Sequence, residues 1–93
     1  MMKQLDNLDI CLLVNNVGTA LIGSAVNQTH KDIVKLVNVN CISAAVMCSR
    51  LIGRLNTRKC KSGIINVSSI AGDRGTPLLS VYSASKSLVN KIS

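Results

Sequence analysis

The chain opens on polar residues and then carries an unbroken apolar run, Ile10 to Val14, with Asp6, Asn7 and Asp9 before it and Asn15, Asn16 and Gly18 after it. A short continuous apolar run between turn formers predicts a buried strand of a parallel sheet. From about His30 the period lengthens. Ile33, Val37, Cys41, Ala44, Cys48, Leu51 and Leu55 recur at steps of three or four, which predicts one long amphipathic helix with that stripe facing a core. Thr29 ahead of Asp32 predicts an N-cap of the capping-box kind, and Asn56 and Thr57 begin the exit.

Gly63 opens a second apolar run, Ile64 to Val67, which stops at Ser68 and Ser69. Turn formers from Gly72 to Pro77 predict a loop, and Ser80 to Ser93 predict a last helix with Leu79, Ala84, Leu88 and Ile92 inward. The order strand, helix, strand, helix makes the fold class α/β: part of a doubly wound parallel sheet built on a right-handed crossover. Ligands of such sheets bind outside the carboxyl ends of the strands. Here those ends are Asn15 to Gly18 and Ser68 to Ser69.

Composition narrows this picture. At 93 residues the chain is one domain at most, and 47% hydrophobic against 16% charged residues excludes a disordered chain. Tyr82 is the only aromatic residue, so Val, Ile, Leu, Ala, Met and Cys must build the core. The net charge of +7 concentrates in Arg50, Arg54, Arg58, Lys59 and Lys61. With no aromatics interleaved as a stacking platform, this reads as a solvated helix C-terminus rather than a nucleic-acid surface.

Cys11, Cys41, Cys48 and Cys60 form no C-x-x-C pair and lie far from the single His30, so no metal site is expected. Cys11 in its apolar run and Cys41 and Cys48 on one helix face fit reduced core thiols. The apolar run at Ile10 is too short to span a bilayer and the first residues lack a signal-peptide pattern, so no membrane segment is expected within the stretch.

Candidate chemistry begins with Tyr82 and Lys86, four residues apart at the start of a helix and hence on one face. A nearby ammonium favours a charged phenolate, which equips such a pair for proton transfer. The spacing alone is common in helices; its context gives it weight. Asn15-Asn16-Val17-Gly18 follows the first strand, Val39-Asn40 lies in the long helix, Ile65-Asn66-Val67-Ser68-Ser69 with Ala71-Gly72 ends the second strand, and Tyr82-Ser83-Ala84-Ser85-Lys86 opens the last helix.

In these four stretches, in this order, the sequence resembles the short-chain dehydrogenase/reductase family. The resemblance implies a partial Rossmann-type fold over residues 1–93 and NAD(P)-dependent hydride transfer between nicotinamide and a ketone or secondary alcohol. It implies Tyr82 as the general acid/base, Lys86 as its partner and a ligand of the nicotinamide ribose, and Ser69 as the group holding the substrate oxygen. Ser69 is favoured over Ser68 because it stands thirteen residues before Tyr82, the usual family step. Asn40 would position a water linking Lys86 to solvent. Asn15 and Gly18 would line the cofactor crevice, with Asn16 more a tie between strands.

Asn15 to Gly18 and the approach Pro77 to Tyr82 resemble the 17β-hydroxysteroid dehydrogenase and very-long-chain 3-oxoacyl-CoA reductase branch. That likeness implies NADPH rather than NADH, a steroid or 3-oxoacyl-CoA substrate, a homodimer, and the endoplasmic reticulum, with the cytoplasm as the alternative location. No glycine-rich strand-turn-helix precedes Ile10, and Ser93 falls within the catalytic helix, so the cofactor-binding half and the substrate-covering segment are expected to be absent. The reading that competes with an enzyme is a catalytically inactive truncated product acting as an interaction or dimerisation fragment; a small basic nucleic-acid binder is a third.

Overall fold

The computed structural model describes residues 2–93. Its elements are α1 (Met2–Leu5), β1 (Leu12–Asn15), α2 (His30–Val37), a π-helical segment (Asn38–Ile42), α3 (Ser43–Asn56), β2 (Gly63–Asn66) and α4 (Ser80–Ile92), with 3-10 turns at Ala25–Asn27 and Ile70–Gly72. The expected order holds. The strands pair in parallel with Leu12 opposite Gly63 and Asn15 opposite Asn66, and the ladder is extended by Gly63 donating to Cys11 and Val67 donating to Asn15.

Each strand is covered on one face only. Leu13 packs with Leu51 and Leu55, and Ile10, Met47, Cys48 and Ile64 surround them. Side chains alternate along a strand, so Leu12, Val14, Ile65 and Val67 point the other way, and they remain well exposed. The strands are therefore half-buried rather than buried on both faces. Cys11 is exposed, as is Cys60, so of the expected core thiols only Cys41 is buried and Cys48 half-buried; all four are free.

Residues His30–Asn56 run as one helix of 27 residues. Thr29 caps it as expected: its hydroxyl accepts from the Asp32 amide at 3.1 Å and donates to the Asp32 carboxylate at 2.6 Å. The π segment gives this helix a local wide turn. Ser43 donates to the Asn38 carbonyl five residues back, and the extra residue brings Asn40 and Cys41 both inward. The buried stripe thus reads Leu36, Asn40, Cys41, Ala44, Leu51, Leu55, while Ile33, Val37 and Cys48 are only partly covered. By length and composition this helix could cross a membrane, which unbroken apolar runs do not reveal, yet in the fold its Leu51 and Leu55 form the core over β1.

The arginines at the end of α3 are not simply solvated. Arg54 donates to the Leu5 and Leu8 carbonyls at 3.1 and 2.7 Å, and Arg58 pairs with Asp9 and reaches the Ile10 carbonyl. They tie the stretch from Leu5 to Ile10 to the helix exit by supplying donors to its backbone carbonyls.

The last helix is turned relative to expectation. Ser83, Ser85, Lys86 and Val89 face inward, whereas Ala84, Leu88 and Ile92 are exposed and Leu79 is half-buried. The polar side wins because Ser85 and Lys86 find hydrogen-bond partners across the fold that an outward face would not offer.

Candidate active site

The two strands end side by side, and their ends are cross-braced. The Asn15 amide donates to the Asn66 side-chain carbonyl at 2.7 Å and to Cys48 Sγ at 3.4 Å. Asn15 is therefore the tie between strands, while Asn16 is exposed, the reverse of the division expected between these two residues. Both still border a cleft of about 500 Å³ that also takes in Val17, Asn40, Val67 and Lys86.

Asn40, only 2% exposed, is clamped on three sides. Its carbonyl accepts from the Thr19 amide and its amide donates to the Thr19 carbonyl, both at 2.8 Å, and it donates to Ser85 Oγ at 3.0 Å. Ser85 in turn donates to the Tyr82 carbonyl at 2.7 Å. Asn40 thus joins the loop after β1 to α4 through direct contacts. Beside it, Cys41 Sγ donates to the Ser85 carbonyl, and burial pushes this thiol's pKa up while the Lys86 charge pulls it down by less.

Lys86 is buried, and its ammonium donates to the Val67 carbonyl at 3.2 Å while lying 5.9 Å from the centre of the Tyr82 ring. An ammonium has three hydrogens. The other two have no hydrogen-bond partner among the described residues, and the group borders the cleft. Gly18 adjoins it: a methyl group there would lie 3.4 Å from Lys86 Nζ and 3.6 Å from Asn40 Oδ1.

The two serines diverge. Ser68 donates to the Lys86 carbonyl at 3.0 Å, whereas Ser69 caps the turn at Ile70–Gly72 by accepting from the Ala71 amide at 3.2 Å. Ser69 Oγ acts here as an acceptor, and among the described residues its hydroxyl hydrogen has no partner. Tyr82 is half-buried. The structure therefore gathers Gly18, Asn40, Tyr82 and Lys86, with Asn15 and Ser69 at the strand ends; among the described residues no direct hydrogen bond joins Ser69 to Tyr82. Sequence reasoning did not single out Thr19, Cys41 or Ser85 for this site. Ser85 stood within the Tyr82–Lys86 motif, three residues from Tyr82, which was the one signal for it.

A family model described as short chain dehydrogenase matches residues 1–93. The chain belongs to this family. It is 40% identical over 93 residues to a very-long-chain 3-oxoacyl-CoA reductase of Anas platyrhynchos, covering 96% of this chain and 30% of that protein. Against a 17-beta-hydroxysteroid dehydrogenase type 3 of Rattus norvegicus it is 36% identical over 89 residues, covering 94% of this chain and 29% of the relative. In structure it superimposes on a 4-hydroxyisoleucine dehydrogenase complexed with NADH with a TM-score of 0.88 at 25% identity, over 98% of this chain and 41% of the other. This short-chain dehydrogenase chain thus spans about three-tenths of the length of the curated relatives it matches.

Among the described residues no group of three metal-ligating side chains occurs. The residues suited to chemistry are the phenol, the ammonium and the serine hydroxyl, an acid/base set rather than a nucleophile with its base.

Proposed function

We propose that this chain carries the acid/base centre of a nicotinamide-dependent oxidoreductase that interconverts a ketone and a secondary alcohol. The observation that carries this reading is the buried Lys86, its ammonium held beside Tyr82 with two hydrogens unspent among the described residues and its side chain lining a cleft between the strand ends and the long helix. The residues suit a nicotinamide nucleotide there: Lys86 would hold its ribose, and Asn15 and Gly18 would flank it. When bound, the nicotinamide supplies or accepts the hydride. Tyr82 delivers the matching proton to the carbonyl oxygen in reduction and removes it in oxidation. Lys86 stabilises the phenolate left behind, and Ser69 donates its free hydroxyl hydrogen to the same oxygen. Asn40 holds the loop after β1 against the helix that bears Tyr82, and a water ordered near it would link Lys86 to solvent.

Within that reaction class we take the substrate to be a 3-oxoacyl-CoA or a steroid, NADPH the preferred carrier over NADH, the working protein a homodimer, and its place the endoplasmic reticulum. Support comes from the likeness to the two curated relatives and from the Asn15 to Gly18 stretch. The test is a chimera in which residues 1–93 replace the matching segment of the Anas platyrhynchos reductase. NADPH-dependent reduction of a 3-oxoacyl-CoA that disappears with Tyr82→Phe supports the reading; a folded chimera that turns over equally well with Tyr82→Phe defeats it.

A second reading, an interaction fragment without turnover, is favoured by one observation. Ala84, Leu88 and Ile92 on α4 and Val34, Ile42, Val46 and Ile52 on the long helix are all exposed. Stable association of the 93-residue chain with an intact relative, without any turnover in the chimera, would select it.

A further inference from the structure

The geometry points to Gly72 as a positioning residue for Lys86, an assignment that rests on reading Lys86 as the lysine of the acid/base centre. Gly72 is not needed for its backbone angles: among the described glycines the one in the left-handed region is Gly23. It is needed for space. A Cβ at Gly72 would lie 2.8 Å from the Lys86 carbonyl carbon and 3.0 Å from both the Lys86 Cβ and carbonyl oxygen. Those atoms belong to the body of α4 and cannot rotate aside, so the helix and the turn would have to part. Gly75, in the same loop, has nothing within 4 Å of such a methyl.

The contact sits at the centre of a grip on one residue. Val67 accepts from the Lys86 ammonium, Ser68 donates to the Lys86 carbonyl, and Ser87 donates to the Gly72 carbonyl. The ammonium bond is already 3.2 Å long, at the far end of the usual range for N–H···O. Parting the turn from the helix by the several tenths of an ångström or more that the added methyl demands pulls against this bond. Gly72 does not line the cleft; besides its close approach to Lys86, its amide donates to the Ser69 carbonyl at 2.9 Å, and the Lys86 labelling separates the two routes.

The experiment is amine acylation of the 93-residue chain, read lysine by lysine by mass spectrometry, with thiol alkylation of buried Cys41 as a parallel monitor of folding. Gly72→Ala should raise the Lys86 labelling rate by at least about tenfold, toward that of the exposed Lys59 and Lys61, as a local opening of that size requires. Cys41 should stay slow, and Gly75→Ala should leave Lys86 as in the parent. Ser68→Ala, which adds no bulk, should raise the same rate by a smaller factor. In the reductase chimera Gly72→Ala should raise the KM for NADPH more than it lowers kcat. Lys86 labelling unchanged in Gly72→Ala overturns the assignment. So does Cys41 becoming reactive together with Lys86 in Gly72→Ala while Ser68→Ala leaves Lys86 protected, and so does an unchanged KM for NADPH. A parent chimera without turnover would defeat the enzyme reading instead, and the labelling results would then decide Gly72 independently.

Discussion

Asn40 and Thr19 hold each other by two reciprocal hydrogen bonds of 2.8 Å, one in each direction between a side-chain amide and the backbone. The pair joins the π segment of the long helix to the loop that leaves β1, and through Ser85 it reaches the helix of Tyr82. Side chains rarely match a peptide group so completely; asparagine can because its amide presents one donor side and one acceptor side, as the backbone does.

Removing that amide should therefore be costly. Asn40→Ala strands the Thr19 amide and carbonyl in a partly buried place and takes one donor from Ser85 Oγ, which keeps its bond to the Tyr82 carbonyl, at a cost on the order of 1–3 kcal/mol. A lower urea midpoint with an unchanged slope would be the signature, since the loss is of stability and not of compactness. Asn40→Asp should be no better, because it keeps the acceptor and loses both donors. Equal stability of either variant with the parent would mean that solvent replaces these bonds.

The serines should separate in the chimera. Ser69→Ala removes the donor proposed to meet the developing charge on the substrate oxygen, and kcat/KM should fall by about a hundredfold or more. Ser68→Ala removes the bond to the Lys86 carbonyl and should cost about tenfold or less, since it acts at one remove. A larger loss for Ser68→Ala would reassign the substrate contact.

Lys86→Met keeps the length of the side chain and removes its charge and its bond to Val67. Loss of a charged hydrogen bond is worth about 1.5–3 kcal/mol, so NADPH binding to the chimera should weaken by roughly ten- to a hundredfold. Fluorescence titration measures this directly. Undiminished affinity would remove Lys86 from the cofactor site.

The cysteines should differ in reactivity and in their effect on pH stability. Burial raises the Cys41 thiol above its ordinary 9.0, so the folded chain favours the protonated form. The stability this confers is complete below that value and is lost as pH rises through the folded pKa. Alkylation near neutral pH should label exposed Cys11 and Cys60 well before Cys41, and Cys41→Ala should flatten the alkaline side of the stability profile. Equal labelling of all four would show that the Cys41 site opens readily.

Local rules along the chain were enough for the element order, the Thr29 cap and the crossover. Apolar period and turn residues are properties of neighbours in sequence, and for the order of elements and the helix cap they carry over into space. What each polar side chain meets depends on groups tens of residues away. Asn15 and not Asn16 bridges the strands because the parallel register sets it opposite Asn66. The face of α4 that turns inward was decided in the same way: periodicity assigned Ala84, Leu88 and Ile92 to the core, but Ser85 and Lys86 find Asn40 and Val67 across the fold. The π segment compounds this, since one extra residue in a turn rotates the remainder of the helix and brings Asn40 inward, and no local propensity announces it. Burial of apolar surface has no direction and is legible from pattern alone. A hydrogen bond needs a particular partner at a particular angle, and only the folded chain supplies one.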